Sequence, residues 1–426
     1  MVKALKQTIL LLLLPGMLVA QEISRLTLPQ AYELAQKNYP VIKQKDLVRQ
    51  SANLSVENLQ KAFLPQVTVS GQATYQSDVT QVPLTLPGLT IESPSKDQYR
   101  LVTDISQLVY DGGVTKEQKT FQQLNAAVEE QKAEVELYKV KERINQLYLG
   151  ILYLDEQNKQ IELVKADIQT GIKKVEAQVQ NGVSFRSNLN MLKAELLKAD
   201  QRAVEIGASR QGLVDALSVF IGQPVNTAVV LEKPATEAGP VAPEATITRP
   251  ELKLFTDQEK LIGQQDKLIT AKNLPKASLF LQGGYGRPAL NQLKNEFDFF
   301  YIGGVRFNWS LGGLYTKKKE KELVKVNQQI VEVQKETFLL NTNSQLRQQA
   351  SEIRKLEKLI ATDNEIINLR VSVKEAAKAQ LENGVITAND FLKEVNAEDQ
   401  ARQSLITHQL QLLQARITYN TISGKQ

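Results

Sequence analysis

Residues 297–313 read FDFFYIGGVRFNWSLGG, a strand pattern that ends in two glycines. Its odd positions, from Phe297 to Trp309, are mostly apolar, and its even positions include Asp298, Arg306 and Asn308. This alternation predicts a strand at about 297–310 with one apolar and one polar face. Aromatic residues stand at both ends of the apolar face, as in strands that cross a membrane and place aromatic girdles at its two interfaces. The predicted girdle consists of Phe297, Phe299, Tyr301, Phe307 and Trp309.

Three more segments predict strands, at about residues 66–76, 98–110 and 276–286. The first alternates strictly, and the other two are less regular. Three bulky apolar residues fall on the polar side of the predicted strands: Phe280, Phe300 and Ile302. The sequence therefore predicts four strands, in two pairs.

A very long helical pattern follows each pair of strands. Residues 314–382 contain neither proline nor glycine, and residues 114–180 contain no proline. Apolar residues recur at helical spacing, for example at Leu346, Ala350 and Ile353. At 1.5 Å per residue, each segment would form one helix of roughly 100 Å. Helices of this length are not those of an ordinary globular core.

Each long helix is predicted to turn and return. The turns are Asn-Gly-Val sequences, at Asn181–Val183 and Asn383–Val385, and the predicted return helices span about 187–220 and 389–422. Shorter helical patterns precede each strand pair, at 47–63 and 251–271. We expect these short helices to stack end to end with the return helices, which are shorter than their partners.

The order of these features reveals an internal duplication. Leu64-Pro65 and Leu274-Pro275 are 210 residues apart, and the two Asn-Gly-Val turns are 202 residues apart. Such landmarks in the same order predict two structural repeats, 21–222 and 249–426, each with one helical hairpin, at about 113–222 and 313–422. A proline-rich segment, 223–248, is predicted to link the repeats.

The N-terminus predicts export. Lys3 and Lys6 precede an apolar run, which is followed by Pro15, Gly16 and a small residue at Ala20; together these features are typical of a signal peptide at residues 1–20. The chain has no cysteine, which excludes disulfides and thiolate metal sites. Its single histidine, His408, is interpreted as a surface residue of a helix, because one imidazole cannot form a metal site. We predict neither a metal nor a cofactor.

The charge balance argues against nucleic acid as a partner. The formal net charge is +5, and two of these charges leave with the signal peptide. One basic run, Lys317–Lys319, is followed directly by Glu320. This run is either a solvated helix face or a contact with phospholipid headgroups, and the sequence does not decide between them.

Four strands do not close into a barrel, and a sheet within a membrane cannot keep open edges. Three copies would supply twelve strands, with the polar face lining a water-filled lumen. Asp104 and Arg306 are the charged residues predicted in this lumen. The expected fold is therefore a mixed α and β membrane protein. It is a trimeric 12-stranded β-barrel, four strands per chain, continued by a long, internally duplicated α-helical barrel in the periplasm.

Over about Leu26 to Gly424, the chain resembles the TolC-like outer-membrane efflux proteins. The resemblance rests on residues 28–40 with Ala35 and Asn38, on Leu-Pro before each first strand, on Gly-Gly after each second strand and on the Asn-Gly-Val turns. It implies a homotrimer in the outer membrane, surrounded by outer-membrane lipid and extending into the periplasm. Its implied role is that of a passive exit duct in tripartite efflux or type I secretion. The implied partners are a periplasmic adaptor, or membrane fusion protein, and an inner-membrane transporter.

The resemblance also implies site residues at the helical turns. The adaptor-docking tip would comprise Gly182, Val183, Ser184, Gly384, Val385 and Ile386. The periplasmic entrance would comprise Asn188, Asp390 and Lys393. Related proteins tend to have acids at such positions, so Asn188 and Lys393 depart from the family pattern. Asp390 fits either an entrance carboxylate or a helix cap.

Two other classes of protein remain as alternatives. An enzyme has little support, because no catalytic set is localised and Gly283–Gly286 lacks the Lys-Ser/Thr of a phosphate loop. A periplasmic adaptor would also contain a long helical hairpin. However, an adaptor would have one hairpin flanked by small β domains, whereas this sequence predicts two hairpins and two strand pairs. The sequence does not identify a cargo.

Overall fold

The structure is a computed structural model that describes residues 23–80, 93–235 and 245–425. The predicted signal peptide lies outside the described residues. These described residues divide into two compact units, one within residues 1–39, 137–246 and 345–426 and one within residues 40–136 and 247–344. The first is called the hairpin unit below and the second the sheet unit. Among the described residues, none of the helices is both long and apolar enough to cross a membrane.

The secondary structure consists of long helices and a small number of strands. The strands are β1 (Ile23–Leu26), β2 (Gln66–Tyr75), β3 (Asp97–Tyr110), β4 (Val225–Leu231), β5 (Lys276–Arg287) and β6 (Asp298–Asn308). The helices are α1 (Leu28–Asn38), α2 (Val41–Gln60), α3 (Val114–Gln180), α4 (Arg186–Ile221), α5 (Pro250–Lys272), α6 (Gly313–Glu382) and α7 (Ala388–Ser423).

Two helices are exceptionally long, with 67 residues in α3 and 70 in α6. Both end directly before an Asn-Gly-Val turn, and the return helices α4 and α7 have 36 residues each. Helix α2 begins earlier than the predicted residue 47, directly after Pro40. Proline is tolerated at a helix start because its fixed φ is already helical and its missing N–H would have no partner there.

The sheet unit contains one four-stranded antiparallel sheet in the order β2-β3-β5-β6. The pairing of β3 with β5 joins the first repeat to the second, from Tyr99 opposite Arg287 to Tyr110 opposite Ala277. Strands β2 and β6 form the two edges. Because the register keeps residues of one face together, Val69, Thr103, Gly283 and Tyr301 lie in one row across the sheet.

The hairpin unit has a core built from α1 and from parts of α3, α4 and α7. Helix α1 starts with a capping box between Thr27 and Gln30, and it buries Leu28, Ala31 and Ala35 along one face. Near its end, the Asn38 side-chain amide donates to the carbonyl oxygens of Val219 and Phe220, both at 3.1 Å. This contact caps the last turn of α4.

The residues that carry the sequence resemblance meet at this point. Gly222 ends α4 with a φ of 69°, a conformation that favours glycine. A Cβ atom at Gly222 would collide with the side chain of Asn38. The end of α1 thus contacts the end of α4 through the Asn38 amide, and Gly222 leaves the space that this side chain occupies.

The structure contains two strands that the sequence analysis did not predict. Strands β1 and β4 pair in parallel, and β4 lies within the segment predicted as a linker. Arg210 donates to the carbonyl oxygens of Thr227 and Val229, and the buried Tyr148 hydroxyl lies 2.8 and 2.7 Å from the carbonyl oxygens of Leu26 and Glu232. Because these contacts come from distant parts of the chain, local sequence did not reveal them.

Candidate functional site

The two Asn-Gly-Val turns have the same backbone geometry. At the end of α3, the Val183 N–H donates to the Gln178 carbonyl at 2.8 Å, and the Gly182 N–H donates to the Val179 carbonyl at 3.1 Å. At the end of α6, Val385 and Gly384 donate in the same way to Gln380 and Leu381, at 2.9 and 3.1 Å. Both turns are therefore Schellman motifs, with φ of 71° at Gly182 and 70° at Gly384.

The valines of these turns face solvent. Val183 and Val385 are each 70% exposed. In many Schellman motifs the equivalent residue packs back on the helix, and here neither valine is buried in that way. Ile386 is half-buried against the core of the hairpin unit. Among the predicted docking residues, the two valines are thus exposed, and Ile386 packs partly against the core.

Phe185 is a residue that the sequence analysis missed. It occupies the N-cap position of α4, where its side chain makes no capping hydrogen bond, and it is 80% exposed. The equivalent residue of the second repeat is Thr387, which caps α7. An exposed aromatic at a capping position stabilises neither the helix nor the core. A comparison of the two repeats could have found Phe185, because an aromatic stands where the second repeat has a threonine.

Asp390 is a helix-capping residue in the structure. Its carboxylate accepts from the Thr387 N–H at 3.2 Å and from the Thr387 hydroxyl at 2.7 Å, and its own N–H donates to that hydroxyl. The hydrogen bonds from Thr387 are the main reason why the pKa of Asp390 is lowered. Lys393 lies 3.6 Å from the same carboxylate. Asn188 donates to the Ser184 hydroxyl at 3.2 Å.

The tips are supported by close packing between the two hairpins. Gln178 of α3 donates from its side chain to the Leu381 carbonyl of α6 at 2.8 Å. Phe391 of α7 is buried, and its ring lies 3.1 Å from where a Cβ atom at Gly171 of α3 would be. The two glycine turns therefore belong to one packed end of the hairpin unit.

A partly buried charged cluster joins all four helices of these hairpins. Lys374 of α6 lies 2.8 Å from Asp167 of α3 and 2.7 Å from Glu398 of α7. Arg402 also pairs with Glu398, at 2.7 Å. On α4, Arg202 pairs with Asp399 of α7 at 3.2 Å. We name Asp167, Arg202, Lys374, Glu398, Asp399 and Arg402 the four-helix charge cluster.

Burial and ion pairing act in opposite directions on this cluster. Burial alone would raise the pKa of Glu398, but its hydrogen bonds with Lys374 and Arg402 outweigh burial and lower that pKa. Burial likewise opposes the charge on Lys374, and its two carboxylate partners raise its pKa. A cavity of about 180 Å³ adjoins the cluster. Glu398 and Lys374 are therefore held in their charged forms at neutral pH.

The polar face of the sheet carries the predicted lumen residues. Asp104 of β3 accepts from the Gln282 side chain of β5 at 2.8 Å, across directly paired residues. The guanidinium carbon of Arg306 lies 4.7 Å from the Phe280 ring centre, and that of Arg100 lies 5.8 Å from the Phe300 ring centre. Such distances are those of cation–π contacts.

The two aromatic residues on the polar face each cover a glycine. Phe280 lies opposite Gly304, and Phe300 lies opposite Gly284. A Cβ atom at Gly284 would lie 2.5 Å from the Phe300 ring, and one at Gly304 would lie 3.2 Å from the Phe280 ring. Aromatic rings that cover cross-strand glycines stabilise sheets. Their position among polar residues is thus explained by packing within the sheet.

The apolar face of the sheet carries the predicted girdle. Phe299, Tyr301 and Phe307 lie on β6 and are exposed, while Phe297 and Trp309 flank the strand. The Tyr285 ring stacks on Phe297, with ring centres 5.5 Å apart, and packs at a tilt against Phe299, with ring centres 4.6 Å apart. The result is a broad exposed apolar surface with rings at its ends. Within the described residues, no group of three or more His, Cys, Asp or Glu could hold a metal ion.

The fold is that of known outer-membrane channels. Similar solved structures include the CusC channel, with a TM-score of 0.68 at 15% identity over 94% of this chain and 92% of that one. VceC of Vibrio cholerae gives 0.66 at 14% identity over 93% and 96%. The open state of the MtrE outer membrane channel of Neisseria gonorrhoeae gives 0.64 at 14% identity over 93% and 89%. At such identities these likenesses establish the fold alone.

The first repeat also matches a protein family in sequence. Residues 31–223, which span almost all of the first repeat, match the model of the outer membrane efflux protein family. No curated protein sequence matches the chain. Over these residues the match confirms the resemblance to the outer-membrane efflux proteins, a family of the outer membrane, which is the predicted location.

Proposed function

We propose that three copies of this chain form a passive exit duct in the outer membrane. The observation that carries the proposal is the sheet of β2, β3, β5 and β6. It has two edge strands, one exposed apolar face and one polar face with charged residues. Edges and an apolar face of this kind require partners. Pairing β6 of one copy with β2 of the next would close twelve strands around a polar lumen.

The hairpin tips would form the gate of the duct and the surface on which a partner protein docks. The exposed Val183 and Val385 stand on two turns of equal geometry, beside the exposed Phe185. Such a surface suits the apolar end of a second helical hairpin. We propose a periplasmic adaptor as its occupant, bridging to an inner-membrane transporter that supplies the energy. Asn188, Asp390 and Lys393 would lie at the entrance of the lumen.

Two measurements on the purified protein test the duct. We expect the native mass of the detergent-solubilised protein to be three times that of the chain, and the protein to form small, stable conductance steps in a planar bilayer. A monomer without conductance would contradict the proposal and favour an adaptor-like role. A trimer without conductance in both wild type and tip variants would contradict the duct but not the assembly.

Substitutions that place a charge at the hairpin tips test docking independently of conduction. We expect Val183→Asp and Val385→Asp, singly and together, to abolish efflux in cells, because a carboxylate at an apolar contact must lose its hydration without a partner. The trimer and its conductance should be unchanged, since both side chains are exposed. Leu197→Asp, also exposed but on the body of α4, is the matched control. Retained efflux in both tip variants would refute the docking assignment.

A further inference from the structure

The first turns of α6 carry a basic surface that the duct itself does not use. Residues 315–322 contain four lysines and two glutamates. Glu322 pairs with Lys319 at 2.7 Å on the surface, and Glu320 accepts from the Thr316 hydroxyl at 2.7 Å. Within the described part of the chain, Lys317 and Lys318 have no ion-pair partner. The surface therefore has a net positive charge.

An exposed aromatic lies beside these lysines. Tyr315 is 88% exposed, the largest fraction among the exposed large hydrophobic and aromatic side chains of the described residues. Because residues three and four apart share a helix face, Tyr315 lies on the same face as Lys318 and Lys319. Lys321, by contrast, points toward α5, where it pairs with Asp266 at 2.9 Å. We name Tyr315, Lys318 and Lys319 the basic rim.

The basic rim continues the apolar face of the sheet. Phe307, on that face, is followed by Trp309, whose indole N–H donates to the Asn273 carbonyl at 3.1 Å and which is about half exposed. The order along the chain is thus an apolar strand face, a fixed tryptophan, an exposed tyrosine and then lysines. This is the order of groups from the interior of a bilayer to its charged surface.

Local electrostatics support an external anion. The first turn of α6 contains no acidic residue to complement the positive end of the helix dipole. The corresponding turn of α3 contains Glu117, and Asp111 accepts from the N–H groups of Gly113 and Thr115 at 2.8 and 2.6 Å. The positive end of the α6 dipole is therefore not compensated by an acidic residue of its first turn, in contrast to that of α3, and lysines follow it.

We propose that the basic rim binds the anionic headgroups of the phospholipid leaflet on the helical side of the sheet. This inference rests on the proposed membrane placement of the sheet. The lysine stems extend along the interface, and their ammonium groups contact headgroup phosphates. Each lysine near an anionic membrane surface strengthens the attraction to that surface by about fivefold.

The chain contains one tryptophan, Trp309, which makes the test direct. The full protein is reconstituted in phosphatidylcholine vesicles that contain a fixed fraction of acyl-brominated lipid, which quenches tryptophan fluorescence on contact. The brominated lipid is either phosphatidylglycerol or phosphatidylcholine. We expect quenching by the anionic lipid to exceed that by the zwitterionic lipid severalfold, and salt near 1 M to remove the difference.

The variant Lys318→Gln/Lys319→Gln should bring the ratio to about one. Its control is Lys355→Gln/Lys358→Gln, further along α6, where Lys355 pairs with Glu352 much as Lys319 pairs with Glu322. This control should keep the wild-type ratio. Equal quenching by both lipids in the wild type would overturn the basic rim while leaving the membrane placement intact. Absence of quenching by either lipid would overturn the membrane placement itself, and the basic rim with it.

Discussion

At the residue scale, Phe185 and Thr387 occupy equivalent positions in the two repeats. Thr387 caps α7 with its side chain, whereas Phe185 leaves α4 without a side-chain cap. We expect Phe185→Thr to stabilise α4 by about 1 kcal/mol, because threonine can accept the hydrogen bond that phenylalanine cannot. The same variant should reduce efflux, since it removes an exposed ring beside Val183. Thermal unfolding and drug or dye export from cells measure the two effects. A variant that is more stable and fully active would show that Phe185 has no role in docking.

The four-helix charge cluster gives a second prediction at this scale. Glu398 is only 6% exposed and holds two cations, so Glu398→Gln should cost about 2 kcal/mol. Glu394→Gln, on the same helix but in the more exposed pair with Arg370, should cost about 0–1 kcal/mol. Thermal unfolding followed by circular dichroism compares the two variants. Equal losses would show that burial of the pair is unimportant.

The pH dependence of that difference follows from the sign of the pKa shifts. Because the pKa of Glu398 is lowered in the folded protein, its stabilisation is fully present above the ordinary value of 4.5 and is lost as the pH falls through the lowered value. The raised pKa of Lys374 places its own loss on the alkaline side, above 10.5. The gap between wild type and Glu398→Gln should therefore be constant near neutral pH and shrink in acid. A gap unchanged in acid would contradict the assignment.

At the element scale, the sheet contains two cross-strand pairs of phenylalanine and glycine that differ in tightness. Gly284→Ala would place a Cβ atom 2.5 Å from the Phe300 ring and 2.8 Å from the Leu101 carbonyl oxygen, which is backbone. Gly304→Ala would meet only the Phe280 ring, at 3.2 Å. We expect Gly284→Ala to lower the temperature at which the folded protein unfolds on a heated gel far more than Gly304→Ala. Equal effects of the two substitutions would show that the contact with the Leu101 carbonyl oxygen does not determine the loss of stability.

The same scale shows what sequence patterns can and cannot reveal. Strict alternation and the absence of helix breakers are local, so the long helices and Val67 to Tyr75 were evident from the sequence. Strands β1 and β4 depend on Tyr148 and Arg210, which are distant in sequence. The unexpected Phe280 and Phe300 became clear only from the register that places each opposite a glycine. For Asp390, the sequence allowed two roles, and the geometry supplies the cap with Thr387.

At the scale of the whole molecule, one chain presents two edge strands whose faces match. Strands β2 and β6 run in opposite directions across the sheet, so β6 of one copy can pair with β2 of the next in the same antiparallel manner. Val69 of β2 and Gly303, Val305 and Phe307 of β6 share the apolar face. Side chains opposite each other on one face lie close enough for a disulfide after local adjustment.

Cysteine scanning therefore tests the assembly, with a clean background because the chain has no cysteine. Val69→Cys is combined in turn with Gly303→Cys, Val305→Cys and Phe307→Cys. We expect one combination to yield covalent dimers and closed trimers after oxidation, since each copy would supply both edges. Val69→Cys combined with Leu279→Cys, which lies on the inner strand β5, should yield none. If no edge combination cross-links while the protein still conducts, the strands do not close between copies in the proposed order, and the twelve-stranded assembly is wrong.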